Sequence, residues 1–291
     1  MTINLAVVPV AGHGTRLLPA TKSQPKEMLP VGRRPVVQYV VEELNRSGIE
    51  HIVFVTGPGK AAIENHLDVN RELIQSLREK GREELLEELE FAPAYYSYTR
   101  QAEQLGLGHA VLCARPSVGN QPFAVALGDT IIGMHAKSDI TLRMARLFEE
   151  RRAAAVIAFD EVPHEEVDQY GIAKAKGGGD VFEVEDLVEK PPREEAPSNL
   201  AIAARYVFAP GIFDALGRTK PGRGREIQLT DAIRLVLKEG GKVYGVRLGP
   251  GEPRFDIGNF DSYFRAFVEF ALADEKYGAS LRAHLEKLLG R

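Results

Sequence analysis

The densest chemistry in this chain lies near its start, in Ala11-Gly12-His13-Gly14-Thr15-Arg16, with Lys26 a few residues on inside Pro25-Lys26-Glu27-Met28-Leu29-Pro30. A short apolar run over 5–10 empties into that glycine turn. A strand followed by a glycine turn exposes backbone N–H groups that can hold phosphates. Arg16 and Lys26 add fixed positive charge beside them. Such a loop is built for a polyphosphate undergoing chemistry. Two better-known glycine motifs are excluded. A dinucleotide fingerprint needs glycine where Leu17 stands, and a Walker A loop needs a closing Lys-Ser/Thr that this segment lacks. Gly57-Pro58-Gly59-Lys60 has no second half and reads as a plain turn. A glycine turn alone is equally a tight strand-to-helix connection; the two cations favour the phosphate reading.

Two carboxylates extend this picture. Asp129 follows an apolar strand over 123–127, at the end where open α/β sheets place ligands. Asp256 stands far along the chain in Phe255-Asp256-Ile257-Gly258. Converging from separate strand ends, the pair would suit one Mg²⁺ bridging phosphate oxygens. Taken singly, each Asp is equally a turn or helix cap.

The order of motifs resembles that of the sugar-1-phosphate nucleotidyltransferases, in their uridylyl-transferring branch. The resemblance rests on Gly12-x-Gly14-Thr15-Arg16, the Lys26 segment, Ile63-Glu64-Asn65-His66, Gly106-Leu107-Gly108-His109-Ala110, Val188-Glu189-Lys190-Pro191, Ala196-Pro197-Ser198-Asn199-Leu200-Ala201 and Glu226-Ile227-Gln228-Leu229-Thr230-Asp231-Ala232. It implies transfer of the uridylyl group of UTP to glucose 1-phosphate, with Mg²⁺ as cofactor. By resemblance Arg16 and Lys26 are catalytic and act on the triphosphate and leaving group. Ala11, Gly12, Gly14, Thr15, Gln101, Gly106, Gly108 and Asp129 bind the nucleotide. Gln101 faces the base, its amide offering donor and acceptor to the uracil edge. Gly171, Glu189 and Lys190 take the sugar and its phosphate, and Asp129 with Asp256 hold the metal. This chain has Leu127-Gly128-Asp129 where some members have Leu-Pro-Asp, and Phe255 where many have another residue before the Asp; both carboxylates are retained. Such chemistry needs no general base, because a sugar phosphate is already ionised. The protein aligns the reactants and neutralises charge.

Composition excludes several alternatives. The chain has 291 residues, net charge −4 and no basic block, which argues against nucleic acid as a main partner. Its single cysteine, Cys113, rules out an intrachain disulfide and suits a reducing cytoplasm; it reads as a small buried hydrophobe. No apolar run reaches membrane-spanning length, and the first one lacks the flanks of a signal peptide. His13, His66 and His109 lack metal-ligand spacing and carry no assigned role. Arg223-Gly224-Arg225 reads as a solvated loop. Rival readings are a thymidylyltransferase of the same superfamily, a catalytically silent nucleotide-sugar sensor, and an NAD-dependent oxidoreductase, which Leu17 excludes. The present Arg16, Lys26, Asp129, Glu189, Lys190 and Asp256 argue against the silent sensor.

The elements that position these residues alternate between strand and helix. Strands are expected over 5–10, 51–56, 95–98, 123–127 and 154–159, and helices over 36–45, from 61, from 109 and over 140–150. A continuous, highly charged helical region is expected over 68–90, with Leu73, Leu77, Leu85 and Leu89 at helical spacing. This is an α/β, Rossmann-like fold: a mostly parallel mixed sheet with helices on both faces. Beyond it, strands over 172–175, 181–188 and 201–208 with a hairpin turn at 177–180 read as a β-rich, sugar-side insertion. A helix over 229–238, a strand over 243–246 and helices over 260–273 and 276–289 complete the chain. One domain is expected, with a nucleotide half over 1–135, a sugar half over 136–258 and carboxy-terminal helices over 259–291. Relatives of this kind imply a homodimer or homotetramer.

Overall fold

The computed structural model describes residues 3–89 and 94–290. Its centre is a nine-stranded sheet. The amino-terminal half supplies β1 (Leu5–Pro9), a small ribbon of β2 (Pro30–Val31) and β3 (Arg34–Pro35), then β4 (His51–Thr56), β5 (Tyr95–Arg100), β6 (Phe123–Ala126) and the short β7 (Thr130–Ile132). The remainder supplies β8 (Ala155–Glu161), β9 (Gly171–Lys176), β10 (Val181–Glu189), β11 (Leu200–Phe208), β12 (Val243–Arg247) and the short β13 (Arg254–Asp256). The sheet order is β5-β4-β1-β6-β11-β8-β12-β10-β9.

Strands β5, β4, β1 and β6 run parallel. Beyond them β11 pairs antiparallel with both β6 and β8, while β8 and β12 are parallel again. The β-rich second half therefore joins the amino-terminal sheet rather than standing apart from it, and β11 lies near the sheet's middle. Strands β9 and β10 form the expected hairpin at one end.

Alternation explains the apolar runs. In β1, Leu5 and Val7 face one core with Val53, Val111, Phe123 and Phe213, while Ala6 and Val8 face the other with Val37, Leu44, Phe54 and Met144. A strand covered on both faces must be apolar throughout. A third cluster, including Leu17, Leu29, Ile131, Phe255 and Phe270, seats the loop after β1 against the carboxy-terminal helix Phe260–Leu272.

The continuous helix expected over 68–90 is corrected. A helix over Arg71–Glu79 stops before Gly81, which adopts φ +61°, and two short turns follow at Glu83–Leu85 and Glu87–Leu89. None of their residues is buried, so the leucine spacing marks no core stripe; Glu90 lies outside the described residues. Without a buried face, charged residues at helical spacing have no packing to extend the helix past a left-handed glycine.

Candidate active site

Past β1 the chain makes a left-handed bend at Gly14 (φ +66°) and enters the single turn Thr15–Leu17. The Thr21 hydroxyl donates to the Gly14 carbonyl at 2.8 Å. Leu17 is buried in the third cluster, which leaves Arg16 exposed at the site mouth. The next turn, Lys26–Met28, sends neighbouring residues in opposite directions. Lys26 faces the site and its ammonium donates to Asp129. Glu27 is buried and accepts from Lys60 at 2.9 Å, with both side chains sealed from solvent. The turn at 57–60 thus supplies a buried counter-cation.

The loop after β5 faces the glycine loop. Gly106 sits at φ +96°, and a Cβ there would lie 2.7 Å from Glu226 Cβ and 2.9 Å from the Ile227 carbonyl oxygen. Backbone bonds stitch the two segments together: Ile227 N–H to Leu105 O at 2.7 Å, and Gly108 N–H to Ile227 O at 2.8 Å. Gln104 reaches across and donates to the Ala11 carbonyl at 2.7 Å. A cavity of about 290 Å³ lies between them, lined by Ala11, Gly12, Gln101, Gln104 and Gly106.

A second cavity, about 390 Å³, opens on the other side of Asp129. Tyr170, Gly171, Glu189, Lys190, Thr230 and Arg254 line it. Glu189 ends β10 with its carboxylate held at both oxygens, by the Thr230 hydroxyl at 2.6 Å and by Lys190 at 3.3 Å. Lys190 itself stands at φ +47°, and its N–H donates to the Tyr170 carbonyl at 2.9 Å. Gly171 must be small: a Cβ would come within 2.8 Å of Ile202 and 3.2 Å of both Glu189 and Thr230. Arg254 stacks over the Tyr170 ring, 4.2 Å from its centroid.

The two cavities share Lys26, Leu107, Leu127, Asp129 and Glu226. Strands β7 and β13 pair, and Ile257 N–H donates to the Asp129 carbonyl at 2.9 Å, which brings Asp256 beside Asp129. A buried fork supports the turn: Arg205 binds Glu43 at 2.7 Å and donates to the Thr130 carbonyl at 3.0 Å. Burial opposes the charge of Lys26, but Asp129, Glu27 and Asp256 outweigh it and hold the ammonium above the ordinary lysine range. Burial likewise pushes Asp129 up, yet Lys26 wins and its carboxyl lies low. Asp256 is pushed up to about 6 by burial and by Asp129, against the pull of Arg254, Lys26 and Arg16. Two acids from separate strand ends, crowded enough to raise one of them, form an oxygen donor set that a divalent cation would relieve. Among the described residues no group of three or more His, Cys, Asp or Glu surrounds them, so the remaining positions would fall to phosphate and water, as Mg²⁺ prefers.

The residues expected from sequence gather as follows. Gly14, Thr15, Arg16, Lys26, Asp129, Gly171, Glu189, Lys190 and Asp256 line the larger cavity; Ala11, Gly12, Gln101 and Gly106 line the smaller. Gly108 lines neither cavity, and a Cβ there would meet Ile227 O at 2.7 Å, so the close packing of the two loops requires a glycine at this position. The Gln101 amide nitrogen is within hydrogen-bond distance of the Gly106 carbonyl and His109. Arg225 is exposed, and the Arg223 side chain lies outside the described ones. Thr230, Arg254, Gln104, Lys60 and Arg205 escaped sequence reasoning. Thr230 was visible only within the motif that opens a helix and Lys60 only as the end of a glycine turn; Arg254, Gln104 and Arg205 had no local signal.

A model of the nucleotidyl transferase family matches residues 5–272. The chain is 45% identical to the UTP–glucose-1-phosphate uridylyltransferase YngB of Bacillus subtilis (strain 168), over 99% of this chain and 96% of that protein. Among solved structures, a UTP-bound UGPase from Acinetobacter baumannii is 38% identical with TM-score 0.87, covering 98% of this chain and 99% of that one. A UDP-glucose pyrophosphorylase complexed with UDP-glucose is 36% identical with TM-score 0.82, covering 94% and 100%.

Proposed function

The chain belongs to the nucleotidyl transferase family, and from that premise we propose that it transfers the uridylyl group of UTP to α-D-glucose 1-phosphate, giving UDP-glucose and pyrophosphate. The observation that carries this reading is the pair of cavities meeting at Lys26 and Asp129, one bounded by glycine loops and amides, the other by Glu189, Lys190 and Thr230. The names and bound molecules of the similar proteins support the same substrates.

In this reading the nucleotide enters between the glycine loop and the Gly106 loop. Gly12, where a Cβ would meet nothing within 4 Å in the free protein, leaves room for backbone to approach the ligand. Backbone N–H groups around Gly14 and Thr15 hold the triphosphate. A phosphate oxygen of the sugar phosphate attacks the α-phosphorus; the bond from α-phosphorus to the bridging oxygen breaks, and pyrophosphate leaves. No proton need be removed from the nucleophile, so the site works by alignment and charge. Lys26, kept charged by its acidic neighbours, and Arg16 at the mouth neutralise the leaving group. Glu189, fixed by Thr230 and Lys190, accepts from sugar hydroxyls, and Lys190 faces the sugar phosphate. Asp129 and Asp256 would hold Mg²⁺, which when bound offsets phosphate charge.

We read residues 1–291 as one domain, because β11 of the second half pairs with β6 of the first. Among the described residues no helix is long and apolar enough to cross a membrane; a cytoplasmic location is our proposal, supported by the single cysteine. A homodimer or homotetramer is supported by exposed Phe264, Phe267 and Val268 on one carboxy-terminal helix, and light scattering tests it. For the activity, pyrophosphate release is measured over a matrix of nucleoside triphosphates and sugar 1-phosphates. UTP with glucose 1-phosphate should lead, dTTP should come second, and ATP and CTP should be poor. Preference for dTTP would move the chain to the thymidylyl branch, and silence with every pair would leave a sensor.

A further inference from the structure

The helix Leu107–Cys113 carries two side chains that the reaction above does not use, His109 and Cys113. They extend a chain of contacts that ends at Gln101. His109 Nε2 lies 3.9 Å from Cys113 Sγ, and His109 Nδ1 lies 3.0 Å from Gln101 Nε2. The same amide nitrogen donates to the Gly106 carbonyl at 3.1 Å. A carbonyl can only accept, so the nitrogen of the Gln101 amide, not its oxygen, must face Gly106. Its second N–H then points to His109 Nδ1, which must carry a lone pair. The imidazole is thereby neutral with its proton on Nε2, directed at a sulfur that accepts weakly. Both amide N–H groups are consumed within the protein. The Gln101 oxygen, for which no hydrogen bond is found among the described residues, is what the side chain offers to the smaller cavity that it lines.

We infer that His109 is a specificity-determining positioning residue: it locks the Gln101 amide so that only an acceptor faces the nucleobase, and the cavity selects a pyrimidine bearing hydrogen on N3, uracil or thymine, over cytosine. Uracil N3–H donates to such an oxygen. Cytosine presents a lone pair at N3, which the oxygen repels and leaves unpaired. A site whose buried polar groups match one partner rejects the mismatched one strongly. This rests on reading the 290 Å³ cavity as the nucleobase site.

The test compares kcat/KM for UTP and CTP in wild type, His109→Leu and His109→Asn. Leucine fills the space without an acceptor, so one amide N–H loses its partner and the Gly106 carbonyl alone still holds the nitrogen; with that weaker hold the UTP:CTP ratio should fall about tenfold or more. Asparagine can place its amide oxygen where Nδ1 was and should restore most of the ratio. KM for glucose 1-phosphate should stay unchanged in both. Wild type should also turn over 3-methyl-UTP, which lacks the N3 hydrogen, at least about tenfold less well than UTP. An unchanged ratio in His109→Leu, or an equal loss in both variants, would overturn the proposal. Should the variants fail to fold, ¹⁵N NMR of wild type reads the tautomer directly: a proton on Nε2 supports the lock, and one on Nδ1 contradicts it. Wild type that ignores UTP would sink the functional reading while leaving the tautomer result standing on its own.

Discussion

Apart from the residues common to both cavities and the buried Glu27, the smaller cavity is lined by glycine, Ala and Pro residues and the neutral amides of Gln101 and Gln104, whereas the larger adds the charged Glu189, Lys190 and Arg254. The first cavity depends on how closely two loops approach. Gly106 and Gly108 let the segment after β5 lie against Ile227, and no side chain can be added there without moving one loop. The second depends on how charges are oriented, through Thr230 on Glu189 and through the stack of Arg254 on Tyr170. A glycine-built wall fails when atoms are added, and a wall of charged side chains fails when atoms are removed. Lys26 and Asp129 belong to both, so damage there should not respect the division.

The largest expected effect is at that shared point. Asp129→Asn keeps the size of the side chain and removes its charge, leaving Lys26 to Glu27 and Asp256 and a bound cation short of one carboxylate. Activity should fall on the order of 10³-fold with both substrates saturating, while circular dichroism and Tm stay close to wild type. Excess chelator should likewise abolish turnover, restored by Mg²⁺. Full activity in either experiment would remove Asp129 from the metal site.

Beneath the site, Lys60→Met separates structure from chemistry. It leaves Glu27 buried without its partner, at a cost of about 3–5 kcal/mol in stability. Burial already raises the Glu27 pKa, against Lys60 and Lys26. Loss of Lys60 raises it further above the unfolded value, and a carboxyl so raised stabilises the fold at low pH and ceases to as pH rises. The deficit in Tm should therefore shrink as pH is lowered toward the ordinary glutamate range. A deficit that does not vary with pH would mean that Glu27 finds another partner.

Arg16→Ala comes next. Arg16 is exposed at the mouth, so the fold loses little, but charge that develops on the leaving group goes unanswered. A fall of about 10² in kcat with KM nearly constant is expected. A rise in KM for UTP at constant kcat would instead make Arg16 a ground-state contact.

The same contrast between the walls governs what was legible in the sequence. Glycine-built features announce themselves locally: Gly12, Gly14 and Gly106 follow strand ends, and β1, β6 and the 52–55 stretch of β4 are apolar because both faces are covered. Glu189-Lys190 and the Asp129 turn were visible as charges at strand ends. Thr230, Arg254 and Arg205 were not, because their importance comes from partners distant in sequence: Thr230 on Glu189, Arg254 on Tyr170, Arg205 on Glu43 and Thr130. The directions of Lys26 and Glu27, adjacent on one turn, were equally hidden; the packing of Leu17 and Leu29 below the loop decides them. The helix expected over 68–90 failed because periodicity reports a possible face, and only packing supplies the surface for it.

The division of the site into a nucleotide wall and a sugar wall is tested most directly by crossed saturation kinetics on Gly106→Ala and Lys190→Ala. Gly106→Ala adds an atom at φ +96° against Glu226 and Ile227; it should raise KM for UTP about tenfold and leave that for glucose 1-phosphate near wild type. Lys190→Ala removes a charged contact and should raise KM for glucose 1-phosphate roughly 10- to 100-fold with little change for UTP. Lys190→Ala acting on UTP alone, or both variants shifting the same substrate, would contradict the account.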